Sequence, residues 1–212
     1  MPEGGTLVIR IGYRGAGFAG FAEQPSVRTV AGELRRALET ALRRPCELTC
    51  AGRTDAGVHA IAQYVSVPVT EAELGLPGER LMRSLVALTP DDLSVQAILR
   101  APAGFSARFD AISRSYRYRI AASQARPVLA WEHSWWYRGA LDVDAMAEAA
   151  RPLLGEHDFK SFCKASSAEG KPTSRYVGAL DVGRVREAGE ELVAIDVTGN
   201  AFLHNMVRTI AG

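Results

Sequence analysis

Apolar and polar positions alternate between Thr6 and Tyr13, placing Leu7, Ile9, Ile11 and Tyr13 on one face, which is the period of a strand. A glycine-rich loop follows and ends near Pro25. Val30, Leu34, Leu38 and Ala41 then recur at helical spacing, with Thr29 placed to cap the helix. Glu47 to Cys50 reads as a short strand, and small and polar residues turn the chain through Gly57. The β-branched run Ile61 to Val69 reads as a strand, Glu79 to Leu88 as a helix that stops before Pro90, and Leu93 to Leu99 as another strand. The order β-α-β-β-α-β is the split βαβ arrangement, an antiparallel sheet with helices on one face. Beyond it the pattern predicts strands near 115–121, 134–138, 176–185 and 191–198, and helices near 142–154 and from 202 onward. The chain is thus expected to be an α+β protein of two similar halves, residues 1–103 and 104–212, joined around Pro102–Gly104. The similarity rests on element order alone.

Composition adds bounds. A chain of 212 residues buries roughly 70% of its unfolded surface, so its core needs neither disulfide nor metal. Cys46, Cys50 and Cys163 form neither an even framework nor a C-x-x-C pair, and read as free thiols in a reducing compartment. His59, His133, His157 and His204 are scattered, with no ligand pair at zinc spacing, so no metal is expected. The N-terminus carries no charged-then-apolar leader and no apolar run is long enough to span a bilayer, so the expected compartment is the cytoplasm, with no membrane partner.

Charge changes the picture less than its distribution does. A net charge of +1 argues against the strongly basic character usual in nucleic-acid binders. Yet arginines 100, 108, 114, 117, 119 and 126 face a single acid, Asp110, over that stretch, while five acids lie between Asp142 and Asp158 against Arg151 alone. That asymmetry fits a basic face on a near-neutral protein and fits an ordinary solvated surface equally.

Four segments are candidates for chemistry. Gly15-Ala16-Gly17-Phe18-Ala19-Gly20 matches the dinucleotide pattern G-x-G-x-x-G, but that motif works only where the glycine turn opens into a helix. Here Pro25 intervenes, and a mobile glycine loop is the expectation. Gly52-Arg53-Thr54-Asp55-Ala56-Gly57-Val58-His59 connects two strands, where functional side chains concentrate. It reads either as a turn in which Asp55 bonds nearby amides, or as a site in which Arg53 favours the charged carboxylate of a nucleophile or base. Asp55 and His59 could also be half of a metal site, without an evident third ligand. On a strand, Arg114-Ser115-Tyr116-Arg117-Tyr118-Arg119 puts the two tyrosines on one face and the arginines on the other. The rings either pack into a core or stack on a base while the arginines hold phosphate. Finally, Phe202, Met206 and Ile210 mark a helical stripe with Asn200 as its cap and Arg208 pointing elsewhere.

Taken together these segments resemble the TruA family of tRNA pseudouridine synthases. The stretch Gly52-Arg53-Thr54-Asp55-Ala56-Gly57-Val58-His59-Ala60 matches the family's catalytic loop over nine residues. Tyr13-x-Gly15-x-x-Phe18-x-Gly20, Phe105-Ser106-Ala107-Arg108-Phe109 leading into Arg114-x-Tyr116-x-Tyr118, Gly155-Glu156-His157-Asp158-Phe159-x-Ser161-Phe162 and Asn200-Ala201-Phe202-Leu203-His204-x-Met206-Val207-Arg208 follow in order over nearly the whole chain. The resemblance implies the pseudouridine synthase fold, two ferredoxin-like α/β halves forming one extended, mainly antiparallel sheet with a central active-site cleft. It implies conversion of uridine to pseudouridine at positions 38 to 40 of the tRNA anticodon arm, by a homodimer using neither cofactor nor metal. Asp55 would be the catalytic acid, supported by Arg53, which helps the nucleotide flip out, and by Arg208, which pairs with Asp55. Tyr116 would stack on the target base, with Arg108, Arg114 and His59 as further substrate contacts.

Two departures accompany the match. Gly20-Phe21-Ala22 stands where the family has Gly-Trp-Gln, and the chain stops at Gly212 where family members continue. The rivals are a catalytically idle RNA-binding relative and a metal-dependent hydrolase using Asp55 and His59. An RRM-type binder is disfavoured, because no segment fits its aromatic signature.

Overall fold

The computed structural model describes residues 4–165 and 169–212. They form an α+β protein of two compact units, Met1–Ala111 and Ile112–Gly212. No helix among the described residues is long and apolar enough to cross a membrane.

The first unit is built on β1 (Gly5–Tyr13), β2 (Thr49–Cys50), β3 (Ala60–Val69) and β4 (Leu93–Ala101), paired in the order β2-β3-β1-β4 with every pair antiparallel. Its helices are α1 (Val30–Leu42), the single turn α2 (Glu71–Leu74) and α3 (Gly78–Leu88). The expected cap holds: Thr29 Oγ1 accepts from the Gly32 amide at 3.2 Å, satisfying one orphan donor of α1. The strand and helix periods put Leu7, Ile9, Ile11, Val65, Val67 and Val69 against Leu34, Leu38, Leu81 and Leu85 in one core. Residues of the opposite parity lie on the other sheet face. There Val8 and Ser66 are register partners, and the buried Ala107 amide donates to Ser66 Oγ at 3.0 Å. The Phe105–Phe109 segment is thereby fastened to the strands of the first unit.

The second unit holds β5 (Arg114–Ala122), β6 (Trp135–Tyr137), β7 (Gly155–Asp158), β8 (Ser174–Glu187) and β9 (Glu190–Gly199), in the order β6-β5-β9-β8-β7. Among the described residues its helices include α4 (Val143–Ala150) and α5 (Met206–Ala211). All pairs are antiparallel except β5 with β6, which the 12-residue crossover 123–134 makes parallel. Ala188 (φ 50°) and Gly189 (φ 86°) close the β8–β9 hairpin as a two-residue turn with positive φ at both positions, which matches the strand twist. Ile120, Phe159, Val177, Val193, Ile195, Val197 and Met206 form its main core.

The last helix differs from the expectation. It begins at Met206, and Asn200 does not cap it. Asn200 instead fastens the end of β9: its Oδ1 accepts from the Tyr176 amide and its own amide donates to Tyr176 O, both at 3.0 Å. Asn205, at φ 65°, redirects the chain into the helix.

Candidate active site

The 52–60 loop enters from β2 and leaves into β3, and contacts from both sides hold it. Gln63 Nε2 donates to Gly52 O at 2.5 Å, and the Ala51 amide donates to Tyr64 O at 2.9 Å, so the entry strand is tied to its exit strand. Thr54 is held twice. Its carbonyl accepts from the Phe21 amide at 3.0 Å, and its Oγ1 shares a 2.8 Å hydrogen bond with the Tyr13 hydroxyl. After Asp55 the chain turns, with the Val58 amide on Asp55 O at 3.2 Å and Gly57 at φ 78°, a conformation that favours glycine. His59 Nδ1 accepts from the Gly15 amide at 3.3 Å, which leaves the proton of the neutral ring on Nε2. Asp55 and His59 are half-buried while Arg53 is exposed.

The glycine loop therefore has a packing role. A Cβ on Gly15 would lie 2.1 Å from Val58 O, and one on Gly20 would lie 3.1 Å from Thr54 O with φ at 107°. Both glycines let two backbones meet. The segment folds back instead of opening into a helix: residues 15–17 make one 3-10 turn, and α1 starts only at Val30. Phe21 is 3% exposed and packs 6.3 Å from the Tyr13 ring, so the phenyl group serves the core.

Arg53 and Arg108 each lower the electrostatic cost of a negative charge at Cys50. Burial is the larger effect there and pushes the Cys50 thiol up, so it is an inert core thiol. Arg108 lies 5.4 Å over the Phe109 ring, on an exposed segment. Among the described residues no group of three or more His, Cys, Asp or Glu side chains could hold a metal ion. The Asp55–His59 pair therefore has no third ligand among the described residues.

The remaining predicted residues belong to the second unit. Strand period two holds in β5: Tyr116 and Tyr118 pack on the main core of that unit, Tyr116 edge-on to Phe202 at 5.1 Å. The opposite face carries Arg117, bidentate to Asp196 at 2.7 and 2.8 Å, with Glu187 bridging to Arg119 at 2.7 Å. Those two arginines are committed to carboxylates, so the arginine-rich run is no uniform phosphate surface. Arg114 Nη1 donates to Asn200 O at 2.7 Å, and Arg208 is exposed on α5. Sequence reasoning missed Tyr13, Thr54 and Gln63 as supports of the loop, and Ser66 as the anchor of the 105–109 segment. The one available signal was a tyrosine, where phenylalanine would fill a core, at the end of β1.

Comparison with known proteins gives separate findings. The family model described as tRNA pseudouridine synthase matches residues 149–212. A tRNA pseudouridine synthase A of Streptomyces griseus is 41% identical over 220 residues, covering 100% of this chain and 75% of its own length. Proteins of the same name from Caldicellulosiruptor bescii and Frankia casuarinae are 36% and 42% identical, covering 98% and 97% of this chain and 82% and 73% of theirs.

Proposed function

This chain belongs to the tRNA pseudouridine synthase A family, and from that premise we propose that it isomerises uridine at positions 38 to 40 of the tRNA anticodon arm with Asp55 as its catalytic carboxylate. The enzyme class follows from the family: an isomerase acting on tRNA. The observation that carries the residue assignment is the 52–60 loop, where a half-buried Asp55 follows a threonine held at both its carbonyl and its side chain. Such fixing is what a group needs if it must meet a sugar carbon in one orientation.

The reaction breaks the C–N glycosidic bond, turns the base and joins C5 to the same sugar carbon. No electron or group leaves the molecule, so the chemistry calls for no redox cofactor. A stacked uridine must first be flipped out, at a cost of about a few kcal/mol. Arg53, exposed on the loop, is assigned to that step. Tyr116 is assigned to stack on the flipped base, Arg208 to pair with Asp55, and Arg108, Arg114 and His59 to hold the RNA. In this reading Asp55 attacks the sugar as nucleophile or removes a proton as base, the enzyme is a cytoplasmic homodimer, and the fold is the pseudouridine synthase fold with two ferredoxin-like halves. The β2-β3-β1-β4 order supports the last point for the first unit.

The test is pseudouridine formation at positions 38 to 40 by the wild type and by Asp55→Asn, both in EDTA. Product from the wild type alone, with the variant folded and still binding tRNA, is expected. Equal product from both would remove Asp55 from the chemistry, and loss of wild-type product in EDTA would point to a metal.

A further inference from the structure

We infer that Tyr13 is a positioning residue for the reaction, acting on Asp55 through Thr54; the inference rests on the assignment of Asp55 as the catalytic carboxylate. Tyr13 ends β1 and is 4% exposed. Its ring packs between Phe18, edge-on at 6.4 Å, and Phe21, tilted at 6.3 Å, so apolar contacts fix the plane of the phenol. A buried hydroxyl is costly unless it is bonded. This one meets Thr54 Oγ1 at 2.8 Å, across 41 residues of sequence. Phenylalanine would satisfy the same apolar shell, so the oxygen is explained by its bond to the loop.

The backbone is shaped for that reach. Between Ile11 and Tyr13 the β1–β3 register shifts, with Ile11 opposite Gln63 and Tyr13 opposite Ala60. A bulge of this kind re-aims a side chain beside a site. Here it lies where β3 leaves the 52–60 loop, and it turns the last residue of β1 toward that loop. Thr54 is then fixed from two directions, its carbonyl by the Phe21 amide and its side chain by Tyr13. With only the carbonyl bond, the peptide joining Thr54 to Asp55 could still swing about that contact. The second bond removes the freedom and sets the direction in which the next side chain leaves the chain. Tyr13 touches no reacting atom in this scheme. Its effect is to narrow the orientations of Asp55 before the uridine arrives.

The experiment is single-turnover pseudouridine formation by Tyr13→Phe, Thr54→Val, the double variant and Thr54→Ser, with tRNA affinity and melting temperature measured alongside. Tyr13→Phe and Thr54→Val should each slow turnover at saturating tRNA by roughly ten- to a hundred-fold while affinity stays within about twofold. The double variant should be no slower than either single one, because both remove the same bond. Thr54→Ser keeps the hydroxyl and should restore most of the rate. A merely structural bond would lower the melting temperature and leave turnover at a permissive temperature intact. That outcome overturns the inference, as would single effects that multiply in the double variant. If Asp55→Asn is dead while Tyr13→Phe is fully active, only the positioning role fails. If Asp55→Asn is active, the assignment beneath it has failed and the inference goes with it.

Discussion

At the scale of single residues, the loop that carries Asp55 depends on glycines for a reason of space. Gly15 sits where a Cβ would lie 2.1 Å from Val58 O and 2.4 Å from the Val58 carbonyl carbon, distances that a real side chain never reaches. Both neighbours are backbone and cannot rotate away. Gly15→Ala must therefore displace either its own 3-10 turn or the 56–58 turn, and with it the His59 Nδ1 contact to the Gly15 amide. The expected cost is about 1–3 kcal/mol of stability, as for overpacking elsewhere, together with a loss of turnover larger than the loss of tRNA affinity. Thermal unfolding and single-turnover rates measure the two effects separately; an alanine variant with wild-type values of both would show that the loop is freer than this packing requires. The sequence carried half of this. The glycine pattern was visible and its dinucleotide reading could be rejected on the intervening Pro25. The reason for the glycines was not visible, because Gly15 and Gly20 meet Val58 and Thr54, 43 and 34 residues further along the chain.

At the scale of elements, the pattern along the chain carried the long strands and helices and the short strands β2 and β6, while pairing alone makes β7 a strand. β1, α1, β3 and α3 stand close to where alternation and helical spacing put them, and the Thr29 cap was readable from residue type alone. β6, expected near 134–138, is three residues long and pairs with β5; β7 has four residues of mixed character, was not expected from the pattern, and pairs with β8. Asn200 looked like a cap because asparagine suits one, yet two bonds to Tyr176 use it to end a strand. One junction of elements has a testable pH signature. Arg28, just before α1, is bidentate to Asp92, just before β4, at 2.7 Å twice, and donates to Glu33 in the first turn of α1 at 2.9 Å. The hydrogen bonds from Arg28 hold the Asp92 carboxyl below its ordinary range, and those from Arg36 and Arg28 do the same for Glu33. A carboxyl depressed on folding stabilises the native state above its unfolded pKa, near 4. That contribution fades as pH falls through the lower folded value. The melting temperature should be flat from neutrality to about pH 5 and fall below about pH 4. Asp92→Asn should start lower at neutral pH and converge on the wild type in acid. Parallel curves would assign the acid limb to other carboxyls.

At the scale of the whole molecule, a net charge of +1 has to be reconciled with a polyanionic substrate. The reconciliation lies in which arginines are already occupied. Arg28, Arg35, Arg36, Arg44, Arg117 and Arg119 are in ion pairs with carboxylates of their own unit. Arg117 is the clearest case: both carboxylates push its proton affinity above that of an ordinary guanidinium, and a phosphate could recruit it only by breaking bonds of 2.7 and 2.8 Å. Arg53 is placed differently, exposed on the 52–60 loop and outside these ion pairs. Neutralising one phosphate releases counterions, so each such arginine adds about 0.7–0.9 to the slope of log affinity against log salt. Arg53→Ala should reduce that slope by about one such increment, and Arg117→Ala should leave it unchanged although both variants lose the same unit of charge. Fluorescence anisotropy of labelled tRNA across a salt series distinguishes them. Equal slope changes would mean that RNA reads the total field of the protein, and the ion pairs seen on the second sheet would then have no part in selecting its contacts. A change at Arg53 alone would mean that carboxylates on the surface of this near-neutral protein decide which cations are left to meet the RNA.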